Sequence, residues 1–169
     1  NQYYFLSHPR RFGKSLLLST IKCYYEGKRE LFEGLYMATV EKDWKKYPVL
    51  YLDLNTNAYD KPEVLVTKLD KVLSDWEKAY DVPANNLTLG MRFEEVIKAA
   101  HEKTGLRTVI LVDEYDKPML QAIGNAELQD AYRATLKGFY GALKSMDEHI
   151  QFAMLTGVPK FGKVSVFSD

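Results

Sequence analysis

The chain has 169 residues, enough for one domain with a sizeable core, and we treat residues 1–169 as one folding unit. Its 23 basic and 23 acidic residues cancel, which argues against a protein whose main role is non-specific binding to nucleic acid or to an anionic membrane. Apolar residues make up 46% of the chain and charged residues 27%, which excludes a disordered polypeptide. The single cysteine, Cys23, cannot form an intrachain disulfide, so we expect a cytoplasmic protein. No apolar run approaches the roughly 20 residues that a membrane span requires.

Short apolar runs rich in β-branched or aromatic residues alternate with helical patterns along the chain. The runs predict four strands, at residues 3–6, 49–54, 108–112 and 152–155. The helical patterns predict one helix that ends at Gly27, a second that begins near Pro62, a third that ends at Gly105, and a fourth over residues 127–146. We interpret their apolar stripes as core faces. The stripe of the first helix consists of Leu17, Ile21, Tyr24 and Tyr25, and that of the fourth consists of Leu128, Tyr132, Thr135, Phe139, Leu143 and Met146. This alternation predicts an α/β domain with a mostly parallel sheet flanked by helices.

The charge is distributed unevenly along the chain. Residues 1–29 contain six basic residues and one acidic residue, a formal charge of +5, so the remaining residues carry −5. This asymmetry predicts an anion site near the N-terminus. The chain begins at Asn1 without an initiator methionine and stops at Asp169 without a terminal helix, so we expect it to be the core of a longer protein.

The segment from His8 to Ser15 lies between the first predicted strand and the first predicted helix, the position of a phosphate-binding loop. Backbone N–H groups at a helix N-terminus have no intrahelical partners and bind phosphate readily. Gly13 would allow close approach of the backbone, Lys14 would reach the β- and γ-phosphate oxygens, and the Ser15 hydroxyl would ligate Mg²⁺. The predicted nucleotide-binding residues are Pro9, Arg10, Arg11, Phe12, Gly13, Lys14 and Ser15.

The match to the phosphate-loop pattern G-x-x-x-x-G-K-[ST] is incomplete, because His8 stands where the first glycine is expected. The alternative interpretation is that Arg10 and Arg11 form a solvated basic turn before an ordinary helix start. Two arginines beside the positive end of a helix repel each other unless an anion compensates them, which favours the phosphate site.

A second motif is the apolar run at residues 109–112, which is followed by Asp113 and Glu114, the Walker B pattern. In such a site Asp113 would hold Mg²⁺ and Glu114 would act as the general base toward the attacking water. The alternative is that Asp113 or Asp116 caps a following turn while Glu114 faces solvent.

Two further strand ends carry polar groups. The strand at residues 152–155 is followed by Thr156, which would lie near the γ-phosphate and detect its presence if this strand neighboured the first one. Threonine is also a common strand former, so the two interpretations stay open. Asp53 would support the metal indirectly, or would simply end its strand.

Several segments together resemble a known family, the predicted AAA-ATPase-like proteins abundant in gut and anaerobic bacteria. They are YYFLS at residues 3–7, PRRFGKS at 9–15, LFEG at 31–34, VDEYDKP at 112–118, and LTGV at 155–158 through FSD at 167–169. The resemblance covers nearly the whole chain and implies a P-loop NTPase fold that binds ATP. In that family a C-terminal domain similar to PD-(D/E)XK nucleases usually follows, and an arginine usually stands at the position of His8 here.

These observations favour an Mg²⁺-dependent ATPase module that couples its nucleotide state to an effector domain elsewhere in the protein, in which Lys14, Glu114 and Thr156 act in catalysis. The first alternative is a switch that binds ATP or ADP without turnover. It is favoured because no arginine finger is identifiable, and Arg92 and Arg133 are candidates by charge alone. A small-molecule kinase ranks last, because no arginine-rich lid is recognisable. A homo-oligomer in which a neighbour supplies the arginine is compatible with this hypothesis, and direct binding of nucleic acid by this domain is not expected.

Overall fold

The fold is an α/β sheet domain, as the sequence predicts. The computed structural model describes residues 3–7, 13–55 and 57–158. Four strands form one sheet: β1 Tyr3–Ser7, β2 Val49–Asp53, β3 Thr108–Asp113 and β4 Ile150–Gly157. All four predicted strands are confirmed. β4 is longer than predicted at both ends, since the polar residues on either side of its apolar centre also belong to the strand.

Six α-helices accompany the sheet within the described ranges: α1 Lys14–Tyr25, α2 Tyr36–Val40, α3 Pro62–Ala79, α4 Leu89–Thr104, α5 Lys117–Gln121 and α6 Ala126–Ser145. Short 3-10 turns span Arg29–Phe32 and Asp147–His149. The four long helices are the predicted ones, whereas α2 and α5 have five residues each and are too short to show a helical period. No helix in the described part of the chain is long and apolar enough to cross a membrane.

Local signals fix the starts of two long helices, α4 and α6, and the end of α4. The Thr88 side chain caps α4 by accepting the backbone N–H of Met91, and Gly105 ends that helix with a φ of 77°. Asn125 caps α6 in the same way by accepting the N–H of Leu128. These caps satisfy backbone groups that would otherwise have no partner within the helix.

The sheet order is β1-β4-β3-β2, and every neighbouring pair is parallel. From β1 the chain crosses to the far edge at β2 and then returns through β3 to β4. Because crossovers between parallel strands are right-handed, the outward and return connections lie on opposite faces of the sheet. Thus α1 covers one face, while α3, α4 and α6 cover the other.

The two faces have unequal cores. The α1 face contains a small cluster around Leu18, Val109 and Leu111. The opposite face holds the main core, in which the rings of Phe93 and Phe139 stack at 4.3 Å. The strands β2, β3 and β4 thus contribute apolar side chains to both clusters, as expected for a parallel sheet covered by helices.

The predicted core faces of α1 and α6 need correction. In α1 the buried residue is Leu18, not Leu17, which is 40% exposed, because the sheet-facing stripe runs through Leu18, Ile21 and Tyr25. In α6 the buried face is wider than predicted and includes Leu136 and Tyr140. The width arises because α6 packs against α3, α4 and α5 at once.

Candidate functional site

The predicted site residues lie at one edge of the sheet, where they end strands or directly follow them. Since all strands are parallel, the carboxyl ends of β1, β3 and β4 meet at this edge. β1 and β4 are neighbours, with Leu6 opposite Thr156 and Ser7 opposite Gly157. The segment that leaves β1 therefore starts beside the strand that carries Thr156. Ligands of open α/β sheets bind outside this edge.

Asp113 and Thr156 are joined directly. The Thr156 hydroxyl donates a 2.7 Å hydrogen bond to Oδ1 of Asp113. Both side chains are buried, with Asp113 2% exposed and Thr156 0%. A buried carboxylate needs such a donor, because its desolvation is otherwise costly. The bond fixes the orientation of the Asp113 carboxylate at the end of β3.

Glu114 begins a tight turn directly after β3. Its φ of 58° lies in the left-handed region, which a residue with a side chain rarely adopts. Its backbone N–H donates to the Thr156 hydroxyl oxygen at 3.2 Å, and its carbonyl accepts the N–H of Lys117 at 3.0 Å. The side chain is half-buried. Thr156 therefore holds both Asp113 and Glu114, the first through its side chain and the second through its backbone N–H.

Tyr115 and Gly157 pack closely behind this turn. A Cβ at position 157 would lie 2.5 Å from Cε1 of Tyr115 and 2.6 Å from Oδ1 of Asp116, so only glycine fits. The N–H of Tyr115 donates to the carbonyl of Thr156 at 2.8 Å. Burial, and secondarily the Asp116 carboxylate, raises the pKa of Tyr115 to about 12. Asp116 is buried and begins α5, but its side chain forms no cap hydrogen bond to that helix.

The N-terminus of α1 stands at the same edge. Gly13 has a φ of 77° and accepts the N–H of Leu17 at 3.0 Å, and its surroundings are open, since a Cβ there would meet nothing within 4 Å. Lys14 and Ser15 form the first turn of the helix, which contains no acidic residue. This exposed helix start is free of the negative charge that would repel phosphate. The predicted contacts of Pro9, Arg10, Arg11 and Phe12 lie outside the described residues, as do the side chains of Lys14 and Ser15.

Asp53 lies opposite Asp113 in the β2–β3 register. Its carboxylate accepts the N–H of Asn55 at 2.8 Å, so it stabilises the turn that ends the strand, as the simpler of the two interpretations predicts. Burial, followed by the charges of Asp113 and Asp53, raises the pKa of the nearby Tyr51 to about 12.

The two candidate arginine fingers have partners elsewhere. Arg92 is buried between α3 and α4, where it donates to both carboxylate oxygens of Glu77, at 3.1 and 2.8 Å, and to Asp70 at 2.5 Å. Arg133 donates to Asp130 one turn away on α6. Arg92 is therefore a structural residue of the α3–α4 interface.

The carboxylate oxygens at this edge of the sheet are donors of the kind that a hard divalent cation binds. No group of three or more His, Cys, Asp or Glu residues that could hold a metal occurs in the described part of the chain. Mg²⁺ does not need such a group, because it is usually bound by one or two protein oxygens together with substrate phosphates and water. The fixed Asp113 carboxylate offers an oxygen of this kind.

Sequence reasoning missed three residues of this region, Tyr115, Tyr140 and Gly157. The Tyr140 hydroxyl donates to the carbonyl of Tyr115 at 3.0 Å. Tyr140 lies outside the apolar stripe predicted for its helix, so only a wider stripe would have indicated it. The glycine after Thr156 could have signalled a close approach of two segments.

Two comparisons with known proteins bear on this arrangement. Residues 1–167 match the protein family described as "Predicted AAA-ATPase". A protein of Azotobacter chroococcum mcd 1, described as an uncharacterized protein in the vnfD 5' region, is 40% identical over 167 residues. The match covers 98% of this chain and 32% of the relative, so the chain spans about a third of the length of that relative.

Proposed function

The chain belongs to the predicted AAA-ATPase family, and from this premise we propose that it binds ATP with Mg²⁺ and hydrolyses the nucleotide. The observation that carries the proposal is the hydrogen bond from Thr156 to Asp113, beside Glu114 and next to the strand that leads into the predicted phosphate loop. Two acidic residues with fixed backbones thus lie at the sheet edge where the exposed N-terminus of α1 begins. Phosphate and a divalent cation need these two features together.

On the phosphate side, the segment from Pro9 to Ser15 would surround the nucleotide. Gly13, in the left-handed conformation, turns the chain into α1, and the first N–H groups of that helix have no intrahelical acceptors. Lys14 would neutralise charge on the β- and γ-phosphates, and Arg10 and Arg11 would add positive charge. The +5 charge of residues 1–29 supports this assignment.

On the metal side, Asp113 and the Ser15 hydroxyl would hold Mg²⁺. When bound, the ion supplies charge neutralisation to the phosphates. Asp113 is suited to this role because Thr156 holds one of its two oxygens in a fixed orientation. The neighbouring Glu114 would then orient a water molecule and accept its proton.

A nucleotide-binding switch without turnover is the alternative. It is favoured by two observations, the replacement of the first loop glycine by His8 and the engagement of Arg92 with Glu77. An arginine finger for hydrolysis would then be an arginine other than Arg92, for example one from a second copy of the chain. In either case we propose that nucleotide state is transmitted to an effector domain, because the 40% identical relative is about three times as long as the matched segment.

The decisive experiment is phosphate release from ATP with Mg²⁺, measured for the wild-type chain, Glu114→Gln and the control Glu102→Gln. Glu102 lies on the exposed side of α4, with a side chain 62% exposed. We expect Glu114→Gln to stop hydrolysis while ATP binding persists, and Glu102→Gln to match the wild type. Equal turnover after Glu114→Gln would refute the assigned base. ATP affinity without phosphate release at any protein concentration would select the switch.

A further inference from the structure

The backbone of Glu114 is held in an uncommon conformation by several independent contacts. Within the described ranges only Asp81 and Glu114 combine a side chain with a positive φ. Such a conformation persists only where its surroundings fix it. For Glu114 these include the Thr156 hydroxyl, which accepts its N–H, and the Lys117 N–H, which donates to its carbonyl.

The next residue, Tyr115, is fixed at both of its backbone polar groups. Its N–H donates to the carbonyl of Thr156 at 2.8 Å, and its carbonyl accepts the hydroxyl of Tyr140 at 3.0 Å. Its ring packs edge-on against Phe5 of β1, with centroids 5.9 Å apart, and lies directly against Gly157. Tyr115 thus connects the Glu114 turn to β1, β4 and α6.

Tyr140 provides the link to α6. Its side chain is 1% exposed, and its hydroxyl donates to the carbonyl of Tyr115, the residue that follows Glu114 in the chain. Without this donor the Tyr115 carbonyl loses a buried hydrogen bond, and the peptide between Tyr115 and Asp116 loses its restraint on the α6 side. Thr156 would remain as the restraint on the β4 side.

We propose that Tyr140 is a positioning residue, which sets the direction of the Glu114 carboxylate by holding the carbonyl of Tyr115. The inference rests on the proposed function, since it assigns Glu114 as the group that activates water. Tyr140 itself does not contact nucleotide in this account. It links the α6 helix to the catalytic turn, so a displacement of α6 changes the position of the base.

Tyr140→Phe tests this proposal, because it deletes one oxygen and leaves the ring in place. The chain offers a matched control in Tyr132→Phe, since Tyr132 lies on the same helix and donates to another backbone carbonyl, that of Lys61, at 2.8 Å. We expect Tyr140→Phe to lower the kcat for ATP about tenfold with the KM unchanged, as expected for a misplaced catalytic group. Tyr132→Phe should leave both constants unchanged.

Amide hydrogen exchange in the absence of nucleotide separates this proposal from the proposed function. We expect the amides of Glu114 and Tyr115 to exchange faster in Tyr140→Phe than in the wild type, and to be unchanged in Tyr132→Phe. Absence of any ATP hydrolysis by the wild type would refute the proposed function, and the exchange rates would still decide whether Tyr140 holds the turn.

Two results would overturn the role of Tyr140: unchanged turnover and exchange in Tyr140→Phe, or an equal loss of turnover in Tyr132→Phe. If Tyr140→Phe does not fold, Gly157→Ala tests the same turn, since the added Cβ would lie 2.5 Å from the Tyr115 ring. Wild-type turnover in Gly157→Ala would show that the position of Tyr115 does not control Glu114.

Discussion

The Thr156 hydroxyl donates its hydrogen bond to Oδ1 of Asp113 at 2.7 Å, and its oxygen accepts the N–H of Glu114 at 3.2 Å. A hydroxyl has one proton, so in this arrangement the proton of Thr156 is engaged by Asp113. The contact with a γ-phosphate stays a prediction, and it requires the hydroxyl to change partner.

The first prediction concerns this hydroxyl. Thr156→Val keeps the shape of the side chain but removes the donor to Asp113 and the acceptor for Glu114. We expect a loss of about 1–3 kcal/mol in the free energy of unfolding and a weaker affinity for ATP with Mg²⁺, measured by denaturant titration and calorimetry.

Thr108→Val is the matched control for this experiment. Thr108 is also fully buried, and its hydroxyl donates to the carbonyl of Ile97 at 2.9 Å, at the start of β3 and away from the site. It should lose stability without losing nucleotide affinity. Equal affinities for Thr156→Val and the wild type would contradict the proposed role of the hydroxyl.

The second prediction concerns the buried ion pair between α3 and α4. Arg92→Met leaves the Glu77 carboxylate buried without its guanidinium, and we expect it to cost about 3–5 kcal/mol in the free energy of unfolding. Adding Glu77→Leu should recover part of this loss, because both buried charges are then removed. If folded Arg92→Met protein lost ATP hydrolysis and kept its stability, Arg92 would be catalytic after all.

The third prediction concerns the contact between α4 and α6. A Cβ on Gly90 would lie 2.4 Å from the carbonyl oxygen of Gly138, so Gly90→Ala should force the helices apart and destabilise the fold by about 1–3 kcal/mol. Gly141→Ala is the control, since a Cβ there meets nothing within 4 Å and alanine favours the helix. Thermal unfolding should show a lower Tm for the first variant only. Equal Tm values would mean that the two backbones are not in close contact.

The fourth prediction concerns alkaline pH. Burial raises the pKa values of Tyr51 and Tyr115 to about 12, whereas the same side chains ionise near pH 10 in an unfolded chain. Above pH 10 the unfolded chain releases its protons first, so the stability contributed below pH 10 is lost progressively up to about pH 12. Denaturant titrations should show this decline, and Tyr51→Phe should make it shallower. An unchanged slope would contradict the assignment for Tyr51.

The sequence predicts the strands and long helices because each has a strong period or a clear cap. The four strands are apolar runs, and Gly105 marks the end of α4 by adopting the left-handed conformation. The predicted core face of α1 is wrong by one residue. The successive leucines at residues 16–18 do not indicate which of them is buried, and only the packing of α1 against the sheet selects Leu18. The short helices α2 and α5 have no period to detect.

For the site, the sequence places Asp113, Glu114 and Thr156 at strand ends, and the sheet order brings these strand ends together. What it could not predict depends on contacts between distant segments. The positive φ of Glu114 has no signal in the sequence, since glutamate rarely adopts it. The bond between Tyr140 and Tyr115 depends equally on how α6 packs behind the turn.

Titration of ATP with Mg²⁺ into the 169-residue chain, followed by calorimetry, tests the central claim that residues 8–15 and Asp113 form one nucleotide site. We expect one ATP bound per chain, loss of binding in Lys14→Ala, and loss of the Mg²⁺ dependence in Asp113→Asn. Wild-type affinity in Lys14→Ala, or the absence of any ATP binding by the wild type, would contradict it.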